Sequence, residues 1–128
     1  MTQEDKELLL KDICGRLPYN VKVRSYNCED DIEIVETLYN IDSDGYMSTL
    51  ECDTLKNITK PYLFPLSGMT EEQKEEYCQL QQKIIYNSKG LVDTDIMNYV
   101  NWCYKNHIDC NGLIPMGLAL DATNLNIY

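Results

Sequence analysis

Apolar and polar positions alternate along the chain in two rhythms, and each rhythm predicts an element. Leu9, Ile13 and Leu17, with Leu10 and Cys14, recur at i, i+4 spacing, and Thr2 with Asp5 three residues later forms an acidic capping box. A helix is expected over residues 3 to 16. Leu17-Pro18 ends it, because the residue before a proline is pushed out of the helical region. Tyr19, Val21 and Val23 then alternate with Asn20, Lys22 and Arg24 in the period-2 pattern of a half-buried strand. The acidic Asn27-Cys28-Glu29-Asp30 reads as the turn after that strand. Residues 31 to 41 fit two templates: Ile32, Ile34 and Leu38 mark a strand face, whereas Ile32, Val35 and Tyr39 mark a helix face. The β-branched content favours strand. Asp42-Ser43-Asp44-Gly45 is a turn signal, and residues 46 to 50 return as a third strand, completing a small antiparallel meander.

Lys60-Pro61-Tyr62-Leu63-Phe64-Pro65 is not helical throughout, since each proline lacks an N–H and biases its predecessor toward extended backbone. It reads as an ordered connector anchored by Tyr62, Leu63 and Phe64. Thr70 to Gln73 is a capping box that opens a helix over residues 71 to 85. Asp93 or Thr94 caps a further helix, in which Ile96, Tyr99, Val100, Cys103 and His107 form one stripe. Asn111-Gly112 is expected to stop that helix near residue 110. The remainder, 113 to 128, is irregular apart from one short helical turn. The expected fold class is α+β: an N-terminal helix, an antiparallel sheet of about three strands, two longer helices and an irregular tail. At 128 residues the chain suits one domain, 1–128, able to build a core without staples.

Charge narrows the functional classes. The formal net charge is -10, and residues 25 to 60 contribute -7 of it. An acidic surface repels nucleic-acid phosphates and anionic lipid, so direct nucleic-acid or membrane partners are not expected. The first ten residues are not a signal peptide in pattern, and no apolar run approaches the roughly 20 residues that span a bilayer. Cys14, Cys28, Cys52, Cys78, Cys103 and Cys110 are therefore expected as reduced thiols in a cytoplasmic protein.

Residues 40 to 51 carry the sharpest chemical motif. Asn40, Asp42, Asp44, Ser48 and Glu51 match the oxygen positions 1, 3, 5, 9 and 12 of an EF-hand loop, with Tyr46 at the backbone position and Gly45 at the turn. The flanks disagree: Glu36 falls on the face an entering helix would bury, Lys60-Pro61 truncates an exiting helix, and no second loop pairs with it. An acidic hairpin turn is the favoured reading, with a calcium site as its alternative. Cys103, His107 and Cys110 could offer soft metal ligands, with Cys14 or Cys78 as a fourth, but their spacing matches no specific zinc pattern, and core packing is favoured. His107 at a helix C-terminus would also complement the dipole.

With one histidine, a nucleophile–base pair has few options, and nothing in the sequence places one. There is no nucleotide-binding glycine motif, so no cofactor is expected and the chain reads as a non-enzyme. Ten tyrosines carry more information. Tyrosine brings large apolar area with one polar tip and is enriched in protein-binding patches, so Tyr26, Tyr39, Tyr46 and Tyr62 are interaction candidates toward a protein partner or a second copy.

Two stretches, Lys60-Pro61-Tyr62-Leu63-Phe64-Pro65-Leu66-Ser67-Gly68-Met69-Thr70-Glu71-Glu72 and the run from His107 to Leu120, resemble a family of short proteins from Bacteroides-type gut bacteria and their phages. The opening from Leu8 to Tyr19 is similar to that family's start. The resemblance skips the acidic third. It implies a cytoplasmic location and a mobile-element origin, and it brings no activity with it. The resembling family commonly carries a tyrosine and an arginine at the positions of Cys110 and Asn111, which further weakens the zinc reading.

Overall fold

The computed structural model describes residues 2–26, 33–41, 47–49, 60–86 and 93–128. The expected turns at 27–30 and 42–45 lie outside the described residues. The fold is α+β, and its first element starts where the capping box places it. In α1 (Gln3–Arg16) the Thr2 hydroxyl accepts from the Asp5 N–H at 3.1 Å and the Asp5 carboxylate accepts from the Thr2 N–H at 3.2 Å. The buried face of α1 is Leu9, Asp12, Ile13 and Arg16. Leu9 and Ile13 stand there as expected, whereas Cys14 is exposed and two charged residues take its place.

Residues 17–19 form a 3-10 turn, and Asn20 takes φ 59 to leave it. Tyr19 therefore precedes the strand it was expected to open. The strands β1 (Lys22–Tyr26), β2 (Glu33–Ile41) and β3 (Met47–Thr49) form an antiparallel sheet in that order, with Val23 opposite Glu36 and Ile41 opposite Met47. Val21, Val23 and Leu38 turn inward and are buried, while Val35 and Tyr39 face out. That alternation settles residues 33 to 41 as strand, because one face meets the core and the other meets water.

The expected connector at 60–65 does more than join elements. Its β4 (Tyr62–Leu63) pairs in parallel with β5 (Leu120–Asp121), Pro61 bridges to Val23, and Phe64 bridges to Ile108. Each proline stands at a position where the missing N–H breaks no ladder bond: the Pro61 carbonyl accepts from Leu120 at 2.8 Å. The local pattern shows an ordered connector and no strand, because the strand partners come from about 40 residues upstream and 45 to 60 downstream.

The core is assembled from Leu9, Ile13, Val21, Val23, Leu38, Leu63, Leu113, Leu118 and Ala119, joining α1, the inner sheet face, β4 and the C-terminal turns. The helix α2 (Glu71–Tyr86) starts at its own capping box, Gln73 N–H to Thr70 Oγ1 at 3.1 Å and Thr70 N–H to Gln73 Oε1 at 3.0 Å. It packs on α3 (Asp93–Lys105) through Tyr77, which lies 5.8 Å from the Tyr99 ring and 6.1 Å from Trp102.

Helix α1 meets α3 at Gly15, where an added Cβ would overlap the Tyr104 ring. In an exposed helix Gly→Ala gains about 1 kcal/mol. Here Gly15→Ala is expected to lose about 1–2 kcal/mol in urea unfolding, because the crowding outweighs the gain in propensity.

Candidate functional site

The most concentrated chemistry lies where the end of α3 folds back over α1. Helix α3 stops at Lys105, five residues short of the expected end. His107 takes φ 59, its N–H bonds to the Tyr104 carbonyl at 3.1 Å, and the Ile108 N–H reaches the Cys103 carbonyl at 2.9 Å. These are the two bonds of a Schellman cap, with histidine in the left-handed position glycine usually holds. His107 has thus left the helical stripe on which the spacing placed it. Asn111-Gly112 follows in a further turn, with Gly112 at φ 71.

This reversal delivers Ile108, Asp109, Cys110 and Asn111 onto α1. Asp12 and Arg16, one helical turn apart, form an ion pair with both side chains fully buried. Arg16 Nε donates to Asp12 Oδ1, and its Nη2 donates to Asp12 Oδ2 at 3.2 Å and to the Ile108 carbonyl at 2.7 Å. The Asn111 amide donates to Asp12 Oδ2 at 2.8 Å, and the guanidinium lies 4.8 Å from the centroid of the Tyr104 ring. Asp109, also buried, accepts from the Leu113 and Ile114 N–H groups at 2.7 and 2.9 Å and fixes the next turn. Two buried nitrogens, Arg16 Nη1 and His107 Nδ1, have no hydrogen-bond partner.

The His107 ring stacks on Tyr128 with centroids 3.7 Å apart. The Tyr128 hydroxyl donates to the Tyr62 carbonyl at 2.7 Å and accepts from the Lys22 N–H at 2.8 Å. Burial pushes that hydroxyl up to about 12. Burial, followed by the positive charges of Arg16 and Lys22, holds His107 down at about 4. At neutral pH the imidazole is uncharged, so it does not complement the helix dipole as a cation. The Asp12–Arg16 pair is enclosed and bonded to the returning loop, which suits it to holding that loop in place.

Cys103 and Cys110 are joined as a disulfide with Cα atoms 6.3 Å apart, which corrects the expectation that both are reduced thiols. The same bond removes two of the three candidate zinc ligands. Cys14 and Cys78 are free and exposed, and no metal-binding cluster occurs among the described residues. In the calcium candidate, Asn40 and Ser48 lie opposite each other in the β2–β3 ladder. On the entering side, residues 36 to 39 are strand where an EF-hand has a helix. Asp42, Asp44, Tyr46 and Glu51 lie outside the described residues.

Among the interaction candidates, Tyr39 is 69% exposed on the outer sheet face beside Val35 at 40%. Tyr62 is buried at 9%, its strand paired with β5 while the preceding Pro61 bridges to Val23, and it is corrected from a surface anchor to a core residue. Tyr46 and the side chain of Tyr26 are outside the described set. Sequence reasoning missed Asp12, Arg16, Tyr104, Asn111 and Tyr128. One signal was present: Asp12 and Arg16 stand at i, i+4 and share the stripe of Leu9 and Ile13. No family model, curated protein or solved structure matches the chain.

Proposed function

We propose that the chain is a non-enzymatic protein-interaction module, cytoplasmic and of mobile-element origin, that meets its partner through the outer face of the β1–β3 sheet. The observation that carries this reading is Tyr39, which stands out from the middle strand of the sheet with Val35 beside it. A large ring on a rigid strand is costly to leave in water and loses little entropy when covered. Lys22 and Arg24 share the strand next to it, so the face is less acidic than the chain as a whole. The location and origin are supported by the resemblance of residues 60–72 and 107–120 to proteins of Bacteroides-type bacteria and their phages. No helix among the described residues is long and apolar enough to cross a membrane.

The test is light scattering across a concentration series, followed by capture from a Bacteroides lysate with wild-type and Tyr39→Ser protein. We expect association that weakens at least about tenfold in the variant, as for an interface hot spot, with the melting temperature unchanged because the side chain is exposed. A monomer that captures nothing, or equal capture by the variant, overturns the reading. Calcium titration in the same series separates the alternative. An EF-hand with a dissociation constant near 10⁻⁵ M would gain about 2.7 kcal/mol at 1 mM calcium, a rise of several degrees. We expect a change within about 1 °C, since exposed carboxylates on a hairpin bind the ion weakly.

A further inference from the structure

The Cys103–Cys110 bridge ties α3 to the loop that closes over the buried ion pair. Cys103 is fully buried on α3, whereas Cys110 is half-buried and directly precedes Asn111, the residue whose amide reaches Asp12. Two kinds of tie hold this segment. Backbone bonds join His107 and Asp109 to Phe64, at 2.8 and 2.9 Å, and the Schellman cap secures Ile108. These do not depend on sulfur chemistry. Cys110 is held by its N–H to the Ile108 carbonyl at 3.0 Å and by the disulfide, which is the one tie from its side chain to α3 and bears on the position of Asn111.

We propose that this pair is a site of thiol–disulfide exchange with a dithiol, and that opening it unlatches residues 110–112 from Asp12 while the rest of the fold stays closed. Its biological setting rests on the cytoplasmic placement proposed above, where a cross-link persists only as a regulated one. A thiolate of the dithiol attacks Cys110 Sγ, the more accessible sulfur. The S–S bond breaks, and Cys103 leaves as a thiolate that takes a proton from solvent. The second thiol of the dithiol then attacks the mixed disulfide and releases Cys110 as a thiol. The dithiol departs as its own disulfide, having passed two electrons and two protons to the protein. The oxidised member of the same couple drives the reverse reaction. Arg16, held by Asp12 and the Ile108 carbonyl, keeps its pairing in both states, so the loop opens at Asn111 and not at the ion pair.

Peptide mapping of the full chain purified without reductant, then hydrogen exchange with and without dithiothreitol, tests this. We expect a linked Cys103–Cys110 peptide, alkylation of Cys110 ahead of Cys103 after reduction, and exchange at 110–112 faster by about tenfold or more, with α2, β1 and β2 nearly unchanged. Cys110→Ser should exchange fast at 110–112 whether or not dithiothreitol is present. The wild-type arm needs no variant to fold. Free thiols at both positions without reductant, unchanged exchange on reduction, or accelerated exchange throughout the chain would each overturn the proposal. None of these readouts involves Tyr39 or a partner, so the interaction reading stands or falls separately.

Discussion

Arg16→Ala is expected to destabilise the fold by about 4 kcal/mol in urea unfolding at neutral pH, the largest effect of any substitution considered. The variant strands Asp12, a carboxylate that is 1% exposed, with the Asn111 amide as its remaining side-chain partner. It also deprives the Ile108 carbonyl of the Arg16 donor and empties the volume against the Tyr104 ring. Breaking one side of a buried ion pair typically costs about 3–5 kcal/mol, most of it the penalty of the charge left behind. Arg16→Lys is expected to recover little of the loss, because an ammonium cannot span both Asp12 oxygens and the Ile108 carbonyl while lying against a ring. A double variant, Asp12→Leu with Arg16→Met, should cost clearly less than the two single changes added together, since it removes both charges. A loss below about 1 kcal/mol for Arg16→Ala would show that the pair is not buried in solution.

Acid is expected to weaken the fold through His107. Its folded pKa of about 4 lies below the ordinary value of 6.5, owing first to burial and then to Arg16 and Lys22. Between those two values the unfolded chain binds the proton more readily than the folded one, so stability falls as the pH drops through this window. A shift of this size corresponds to about 3 kcal/mol once the pH is below both values, and to about 2.5 kcal/mol at pH 4.5. His107→Asn is the control, because asparagine tolerates the left-handed backbone and does not titrate. Wild type should therefore lose about 2–3 kcal/mol more than this variant between pH 7 and pH 4.5, measured by urea unfolding at each pH. Equal losses would place His107 in contact with solvent, free of the Tyr128 stack.

The elements that could be read from the chain are those whose causes lie within a few residues. Thr2 with Asp5 and Thr70 with Gln73 place the starts of α1 and α2 because each box closes its own hydrogen bonds over three residues. The inward alternation of Val21 and Val23 carries its own period, as does the outward placement of Tyr39, so the meander and its exposed tyrosine were also legible. Among the candidate site residues, Cys103 was correctly assigned to the core, but its disulfide partner and the role of Cys110 were not foreseen.

What the tertiary structure decided depends on groups distant in sequence. Asp12 and Arg16 look like an ordinary exposed i, i+4 pair until Ile108 and Asn111, more than 90 residues on, arrive to bury them. Residues 61–64 look like a connector until Val23, Ile108 and Leu120 supply the missing ladder. The end of α3 was set by His107 in a left-handed conformation, held there by the Tyr128 stack and by Phe64, against a local pattern that favoured five further residues of helix. Capping and periodicity are local free energies, available to the chain before it folds. Burial of a charge, closure of a disulfide and pairing of a short strand gain their value once the partner surface exists, and that surface is made by the fold as a whole.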